Sequence, residues 1–227
     1  MKTLELLGQA VSGDGTVLKL MRRSHEYIIL ADGKPLMSSR MHGSEEALAT
    51  LACQRAGKLE HPCVLVGGLG MGFTLRATLD VLPPGAKVVV TELVSEVVEW
   101  NRGPLGPLAR DPLKDPRVQV EIDDVAVSLS SRPGQFDAVL LDVDNGPAAF
   151  TTSSNNAGLY DDRGIAVAFK ALKIDGMLAV WSAREDRKFE QRLRHGRFNI
   201  DVQSLRGRLK GGGPRHIIFL GHKSSKR

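Results

Sequence analysis

Four short apolar runs in the middle of the chain each end at residues able to do chemistry. Val64-Leu65-Val66 leads into Gly67-Gly68-Leu69-Gly70-Met71-Gly72. Glycines at such a place permit positive φ and let the backbone approach a ligand closely, beside the donor-rich start of a helix. The spacing excludes two common nucleotide loops. The dinucleotide fingerprint needs a glycine five residues after its first, and Phe73 stands five after Gly68; the Walker pattern needs a lysine where Phe73 again stands. What remains, Gly68-x-Gly70-x-Gly72, suits a nucleoside without phosphates, with Gly67 opening the turn. Glu92, twenty residues beyond Gly72, ends the second run, where a carboxylate can accept both ribose hydroxyls. Asp124, followed by Val125, comes after the third run and is placed for the adenine amino group. Asp142 follows the fourth run, and Asp144 stands two residues on. Carboxylates there can take a proton from an amine or bind an ammonium. Each acid alone reads equally well as a helix cap; the joint arrangement carries the specificity.

The elements that must position these residues are legible in outline. From Pro62 onward, apolar strands alternate with helices: Cys63–Val66, Lys87–Val90, Val118–Ile122, Phe136–Leu141 and Met177–Trp181 read as strands. Helices are expected from the glycine loop to Leu82, over Val94–Asn101, Asp124–Ser131, Asp161–Leu172 and Glu185–Arg194. Two late strands, Phe198–Val202 and His216–Leu220, are expected to flank a turn at Gly211–Pro214. This alternation predicts an α/β, Rossmann-like, mostly parallel sheet with helices on both faces, whose ligands lie beyond the carboxyl ends of the strands. Ahead of it, Thr16–Met21 and Tyr27–Leu30, set off by the turns Gly13-Asp14-Gly15 and Asp32-Gly33-Lys34-Pro35, predict a small N-terminal antiparallel β-sheet. Ser44 is expected to cap a helix running to about Arg55. The expected division is a β-sheet unit over 1–42 and a nucleoside-binding unit over 43–227.

Composition sets the class. The chain has 227 residues, 42% of them hydrophobic and 25% charged, which excludes disorder and low-complexity architectures. No stretch approaches the ~18–20 apolar residues of a membrane span. The segment Met1–Gly15 carries Glu5 and Gln9 in its apolar patch, which argues against a secretory signal. Cys53 and Cys63 lack metal or redox spacing and read as reduced core thiols, and the six histidines lack ligand spacing, so no metal is expected and a cytoplasmic location is. The net charge of +5 is uneven: from Arg184 onward there are 13 Lys/Arg against 4 Asp/Glu. That quarter reads first as a solvated helix face and tail, with nucleic-acid binding as the less favoured reading. Trp100 and Trp181 are expected in the core or at its rim, and Thr151–Asn156 as a mobile lid over the acceptor site or a plain solvated loop.

Val64–Gly72, Val88–Glu92, Asp123-Asp124 and Phe136–Asp142 resemble the successive cofactor motifs of class I S-adenosylmethionine-dependent transferases. Within that superfamily the chain is most similar to the spermidine synthases. The likeness includes the N-terminal sheet, Leu30-Ala31-Asp32-Gly33, the Gly-Gly loop, Gly146-Pro147-Ala148 after the acidic loop, Tyr160 before a helix, and Leu172–Gly176 before a strand. It covers roughly Tyr27 to Trp181. It implies a transferase moving an aminopropyl-type group from an adenosyl sulfonium to a small amine acceptor, with Asp142 and Asp144 catalytic, Asp142 in contact with the donor and Asp144 with the acceptor amine. The donor would be S-adenosylmethionine or its decarboxylated form. The chain also departs from the family pattern. The family places an aspartate, near the donor's aminopropyl amine, where Gly70 stands; it has Tyr-His-Glu where this chain has Glu45-Glu46-Ala47; and its Asp-x-x-Asp-Pro becomes Asp142-Val143-Asp144-Asn145-Gly146-Pro147. Two alternatives therefore stay open: a methyltransferase using intact S-adenosylmethionine, and a non-catalytic nucleoside- or RNA-binding protein. A homodimer is compatible with any of them, and no membrane partner is expected.

Overall fold

A computed structural model describes residues 3–143, 146–147, 156–207 and 213–225. The chain opens with β1 (Glu5–Val11), β2 (Val17–Arg23), β3 (Glu26–Ala31) and β4 (Lys34–Ser38), paired antiparallel in sequence order. Then come α1 (Gly43–Ala52), β5 (Cys63–Gly67), α2 (Phe73–Val81), β6 (Lys87–Glu92), α3 (Ser95–Arg102), β7 (Val118–Ile122), α4 (Val125–Ser130) and β8 (Phe136–Leu141). The chain ends with α5 (Asp162–Ala171), β9 (Leu172–Ser182), α6 (Arg187–His195), β10 (Asn199–Arg206) and β11 (Arg215–His222). The larger sheet has the order β10-β11-β9-β8-β5-β6-β7. Its members β5 to β9 run parallel, and β11 and β10 are added antiparallel at one side. This is the predicted mostly parallel sheet with its antiparallel N-terminal companion.

Central strands buried on both faces need apolar residues at every position, not every second one. In β5, Val64 and Val66 enter one apolar cluster and Leu65 the other, and β6 and β8 divide their side chains in the same way. The first cluster reaches from the sheet through α1 to α3 into the N-terminal strands, joining Leu18, Leu20 and Ile29 to Val97, Val98 and Trp100. The second holds α4 to α6 on the opposite face, around Phe136, Phe189 and Phe219. Trp100 is buried in the first, as expected of a core residue. Cys53 and Cys63 are both free thiols, and burial pushes Cys53 up to about 12.

Three local expectations are corrected. Ser44 does not cap α1: His42 holds that position without a side-chain cap, and the Ser44 hydroxyl is engaged elsewhere. β9 starts at Leu172, five residues before Met177, because Leu172 already pairs with Phe136 and Asp175 bridges to Arg55 at 3.0 Å. The Lys-Ile-Asp-Gly stretch looks like a turn but is carried as an irregularity within the strand, with Asp175 at φ +63. β1 and β4 are strands that composition alone did not single out, and β4 takes Lys34 and Pro35 from the expected turn by pairing them with Ala31 and Leu30. Among the described residues, no helix is long and apolar enough to cross a membrane. Of the expected turn at Gly211–Pro214, Gly211 and Gly212 lie outside the described residues.

Candidate functional site

The sheet order reverses at β5, which pairs with β6 on one side and β8 on the other, so the loops leaving β5, β6 and β8 diverge and leave a crevice. A cavity of about 140 Å³ lies there, roofed by Ser12, Asp14, Leu36 and Met37 of the N-terminal sheet. Gly68 takes φ +88, and a Cβ on it would stand 2.3 Å from the Asp142 carbonyl oxygen, so no other residue lets the β5 loop cross β8 this closely. Gly70 lines the cavity under Met37, and its carbonyl accepts from Asn101 Nδ2 at 2.8 Å. Asn101 also donates to Val97 at 2.9 Å and so ties the loop to α3. Nothing in the spacing of the sequence marked that brace.

Glu92 ends β6 in the cavity wall. Its Oε2 accepts from Leu69 N–H and its Oε1 from Val94 N–H, both at 3.0 Å, which fixes the carboxylate between two loops. Burial raises its pKa, and those amides oppose the shift. Asp124 caps α4 by accepting from Ala126 N–H at 2.8 Å, and it also lines the cavity with Asp123 and Val125. Asp124 thus caps the helix and lines the cavity at once. Asp142 follows β8 and accepts from Thr74 Oγ1 at 2.5 Å.

A further carboxylate stands near Asp142. Glu45, in the first turn of α1, is pushed up to about 7, first by burial and then by the charge of Asp142; the Ser44 hydroxyl opposes this. Asp142 is pushed up to about 6 by burial, against its bond from Thr74. Ser44 Oγ lies 2.7 Å from Glu45 Oε2 and 2.8 Å from His216 Nδ1, and the His216 ring packs on Trp181 at 4.7 Å between centroids. Trp181 thus sits at the rim of the site, and its Nε1 is buried without a hydrogen-bond partner among the described residues. Beyond Asp142, Tyr160 donates to the Val143 carbonyl at 3.1 Å, and Gly146 packs across the end of β9.

No family model matches the chain. Over 114 residues, half of the chain, it is 32% identical to the polyamine aminopropyltransferase of Bacillus subtilis (strain 168), and it spans 38% of that protein's length. Solved structures match far more of it. A spermidine synthase in complex with the transition-state analogue AdoDATO superposes at a TM-score of 0.72, with 18% identity, over 97% of this chain and 73% of the other. The spermidine synthase of Thermotoga maritima gives 0.72 and 19% over the same shares. A probable spermidine synthase of Corynebacterium glutamicum ATCC 13032 gives 0.65 and 17%, over 96% of this chain and 80% of the other. The fold is that of the spermidine synthases.

The structure gathers Gly68, Gly70, Glu92, Asp124, Val125 and Asp142 around one cavity. Gly67 and Gly72, also expected there, are not among the lining residues. Gly67 lies buried against Val125, and Gly72 starts α2 against Asn101. Asp144 and most of Thr151–Asn156 lie outside the described residues. Sequence reasoning missed Thr74, Glu45, Ser44 and His216, which lie outside the cavity lining and are linked to Asp142 by hydrogen bonds or charge, directly or through one another. The one available signal was that Glu45-Glu46 stands where the similar family has Tyr-His-Glu.

Proposed function

We propose that the chain is a transferase that moves an alkyl group, of aminopropyl type, from an adenosyl sulfonium to a small amine. One observation carries this reading: the described residues lining the cavity include five carboxylates (Asp14, Glu92, Asp123, Asp124 and Asp142) and no lysine, arginine or histidine. Such a lining disfavours phosphates and favours a ligand that is neutral or cationic, as a sulfonium nucleoside is. Local field outranks the positive net charge at this range. The likeness to polyamine aminopropyltransferase adds the acceptor class.

In this reading Glu92 holds the ribose and Asp124 the base, while the cavity floor at Gly68 and Gly70 lies under the sulfonium. Asp142 and Glu45 bind the acceptor ammonium and take its proton, with Asp144 proposed on sequence grounds as a further acceptor acid. The amine nitrogen then bonds to the carbon beside sulfur, the carbon–sulfur bond breaks, and its electron pair goes to sulfur. The protein's part is alignment and a neutral nucleophile.

Titration calorimetry with S-adenosylmethionine, its decarboxylated form, methylthioadenosine, NAD and ATP tests the cavity, and turnover with diamines tests the transfer. A sulfur nucleoside should bind more tightly than NAD or ATP. Tighter NAD or ATP binding overturns the reading. Methyl transfer without aminopropyl transfer replaces it with the methyltransferase reading.

A further inference from the structure

The crevice at the strand ends is lined by acids; a second cleft, on the α4–α6 side of the sheet, is lined by cations. Its volume is about 400 Å³, within the roughly 300–1,000 Å³ of small-ligand clefts. Its floor is a stripe of α5 made by Ile165, Ala166 and Phe169, which share one face of the helix. Phe169 is fixed there by an edge contact with Phe198, 5.1 Å between centroids, and by Lys223 Nζ at 4.6 Å from its ring. Around the floor stand Lys170 of α5, Arg192 and His195 of α6, and Arg197 just beyond α6. Arg194 on the same helix pairs with Glu190 at 2.9 Å, whereas Lys170, Arg192 and Arg197 have no ion pair among the described residues. One nitrogen of Arg192 donates to the Tyr160 carbonyl at 3.3 Å and so fixes the side chain in the cleft wall.

The backbone singles out Arg197. A left-handed residue commonly ends a helix, and it is usually glycine. Here the glycine stands one place earlier, where a Cβ on Gly196 would come 2.4 Å from Ile165 Cγ2. Gly196 itself has φ −69, and the left-handed place, at φ +70, falls to Arg197. Charge at a helix end accounts for Arg192 and His195. It gives no reason for a strained backbone that sets one more guanidinium at the mouth of the cleft.

We propose that this cleft binds a phosphate monoester with a flat apolar body. Lys170, Arg192 and Arg197 hold the phosphate, and the ring lies on Ile165, Ala166 and Phe169. Two arginine forks match phosphate oxygens, and three fixed cations suit a dianion better than a lone carboxylate. Asp162 bounds the far end of the floor: it precedes Lys170 by eight residues, about 12 Å along α5. That length takes one ring and one phosphate, and a nucleic-acid strand continued along α5 would meet the carboxylate. The site is separate from the crevice at the strand ends, whose carboxylates disfavour the phosphate that this cleft attracts.

Titration calorimetry of the full chain at low salt tests the site, with phenyl phosphate, inorganic phosphate and phenol as probes. Phenyl phosphate should bind at least tenfold more tightly than inorganic phosphate, and phenol should give no measurable heat. No binding of phenyl phosphate at millimolar concentration overturns the proposal. Equal affinity for inorganic phosphate overturns it too, because the apolar floor would then play no part. Arg197→Gly removes the charge and relieves the left-handed backbone, so it should fold, and it should weaken phenyl phosphate by about tenfold. Lys170→Ala, with a better helix former in the last turn of α5, should weaken it by a similar factor. Wild-type affinity in either variant puts the bound phosphate elsewhere and overturns the site. A single-stranded RNA oligonucleotide is titrated in parallel. RNA that binds more tightly than phenyl phosphate, and weakens in both variants, replaces the small-ligand site with a nucleic-acid surface.

Discussion

The charge of Asp142, at the end of β8, falls on Glu45, in the first turn of α1, and partial burial raises the pKa of both carboxyls. Two such acids cannot both ionise cheaply, so near neutral pH the pair retains a proton that free carboxylates would have lost. The nearest hydroxyls, Thr74 to Asp142 and Ser44 to Glu45, lower that cost without removing it. A cation placed between the acids would remove most of it. The fold therefore bears a standing electrostatic cost at this spot that an ammonium would relieve.

That cost has a definite pH dependence. Both folded-state pKa values lie above the ordinary 3.8 and 4.5, so the folded chain keeps protons that the unfolded chain releases as pH rises. Stability must then fall as pH climbs from about 4 through about 7, and the penalty is complete above that window. Asp142→Asn keeps an acceptor for Thr74 while deleting the charge. It should be more stable than wild type at pH 8 by about 1–3 kcal/mol and lose that advantage at pH 4. Urea melts at the two pH values check this. An equal effect at both, or a loss at pH 8, excludes buried charge as the cause.

Glu92 is a loop clamp and, in the proposed function, a ligand contact, and the two roles separate by substitution. Glu92→Ala frees the Leu69 and Val94 amides, so it should lose stability as well as nucleoside affinity, each by about 1–3 kcal/mol. Glu92→Gln keeps one oxygen for one amide. Its melting temperature should fall less than that of the alanine variant, while calorimetry shows affinity reduced at least tenfold. Wild-type affinity in Glu92→Gln would place the ribose elsewhere.

The parts of the molecule legible in the sequence are those governed by local rules. Strand β8 falls at the residues its apolar run marks, because a strand buried on both faces must be apolar throughout. The acids at strand ends were found because parallel topology brings strand ends together whatever the loops do. Ser44, Glu45 and His216 were hidden for the opposite reason. Their contact depends on how α1 leans on β11 from the far end of the chain, and first-turn acids and a serine there read as ordinary helix-start residues. Likewise Gly67 and Gly72 share the spacing of the ligand loop, and only packing against Val125 and Asn101 shows that they support it.

Gly146 sets where the chain runs after Asp142. At φ +81 an added Cβ would stand 2.6 Å from both the Trp181 carbonyl oxygen and the Ser182 Cα, and neither backbone atom can swing aside. Gly146→Ala should therefore push the segment off the end of β9 and cost about 1–3 kcal/mol of stability. Nucleoside affinity should change less than twofold, because Gly146 does not line the cavity, while turnover falls. Calorimetry and initial rates on the same preparation decide between this and a loop that tolerates the side chain.

Gly70 offers a test of which sulfonium the cavity takes. The similar family carries aspartate there, near the donor's aminopropyl amine, and this chain has left the place to glycine under the Met37 thioether. Gly70 sits at φ +50, a left-handed conformation that aspartate tolerates better than most residues. A Cβ would meet only Met37 Cε and Sδ, both at 3.3 Å, and a flexible thioether can yield. Gly70→Asp should therefore fold. It should bring a sixth carboxylate to the cavity, where it attracts the ammonium of a decarboxylated donor and repels the carboxylate of intact S-adenosylmethionine. The ratio of the two affinities should move toward the decarboxylated form by about tenfold, the scale of one charge-assisted hydrogen bond. Met37→Ala opens the same space without adding charge and should leave the ratio within twofold. If both donors weaken equally in Gly70→Asp, residue 70 does not face the donor's tail, and selection between the two sulfonium forms lies with other residues.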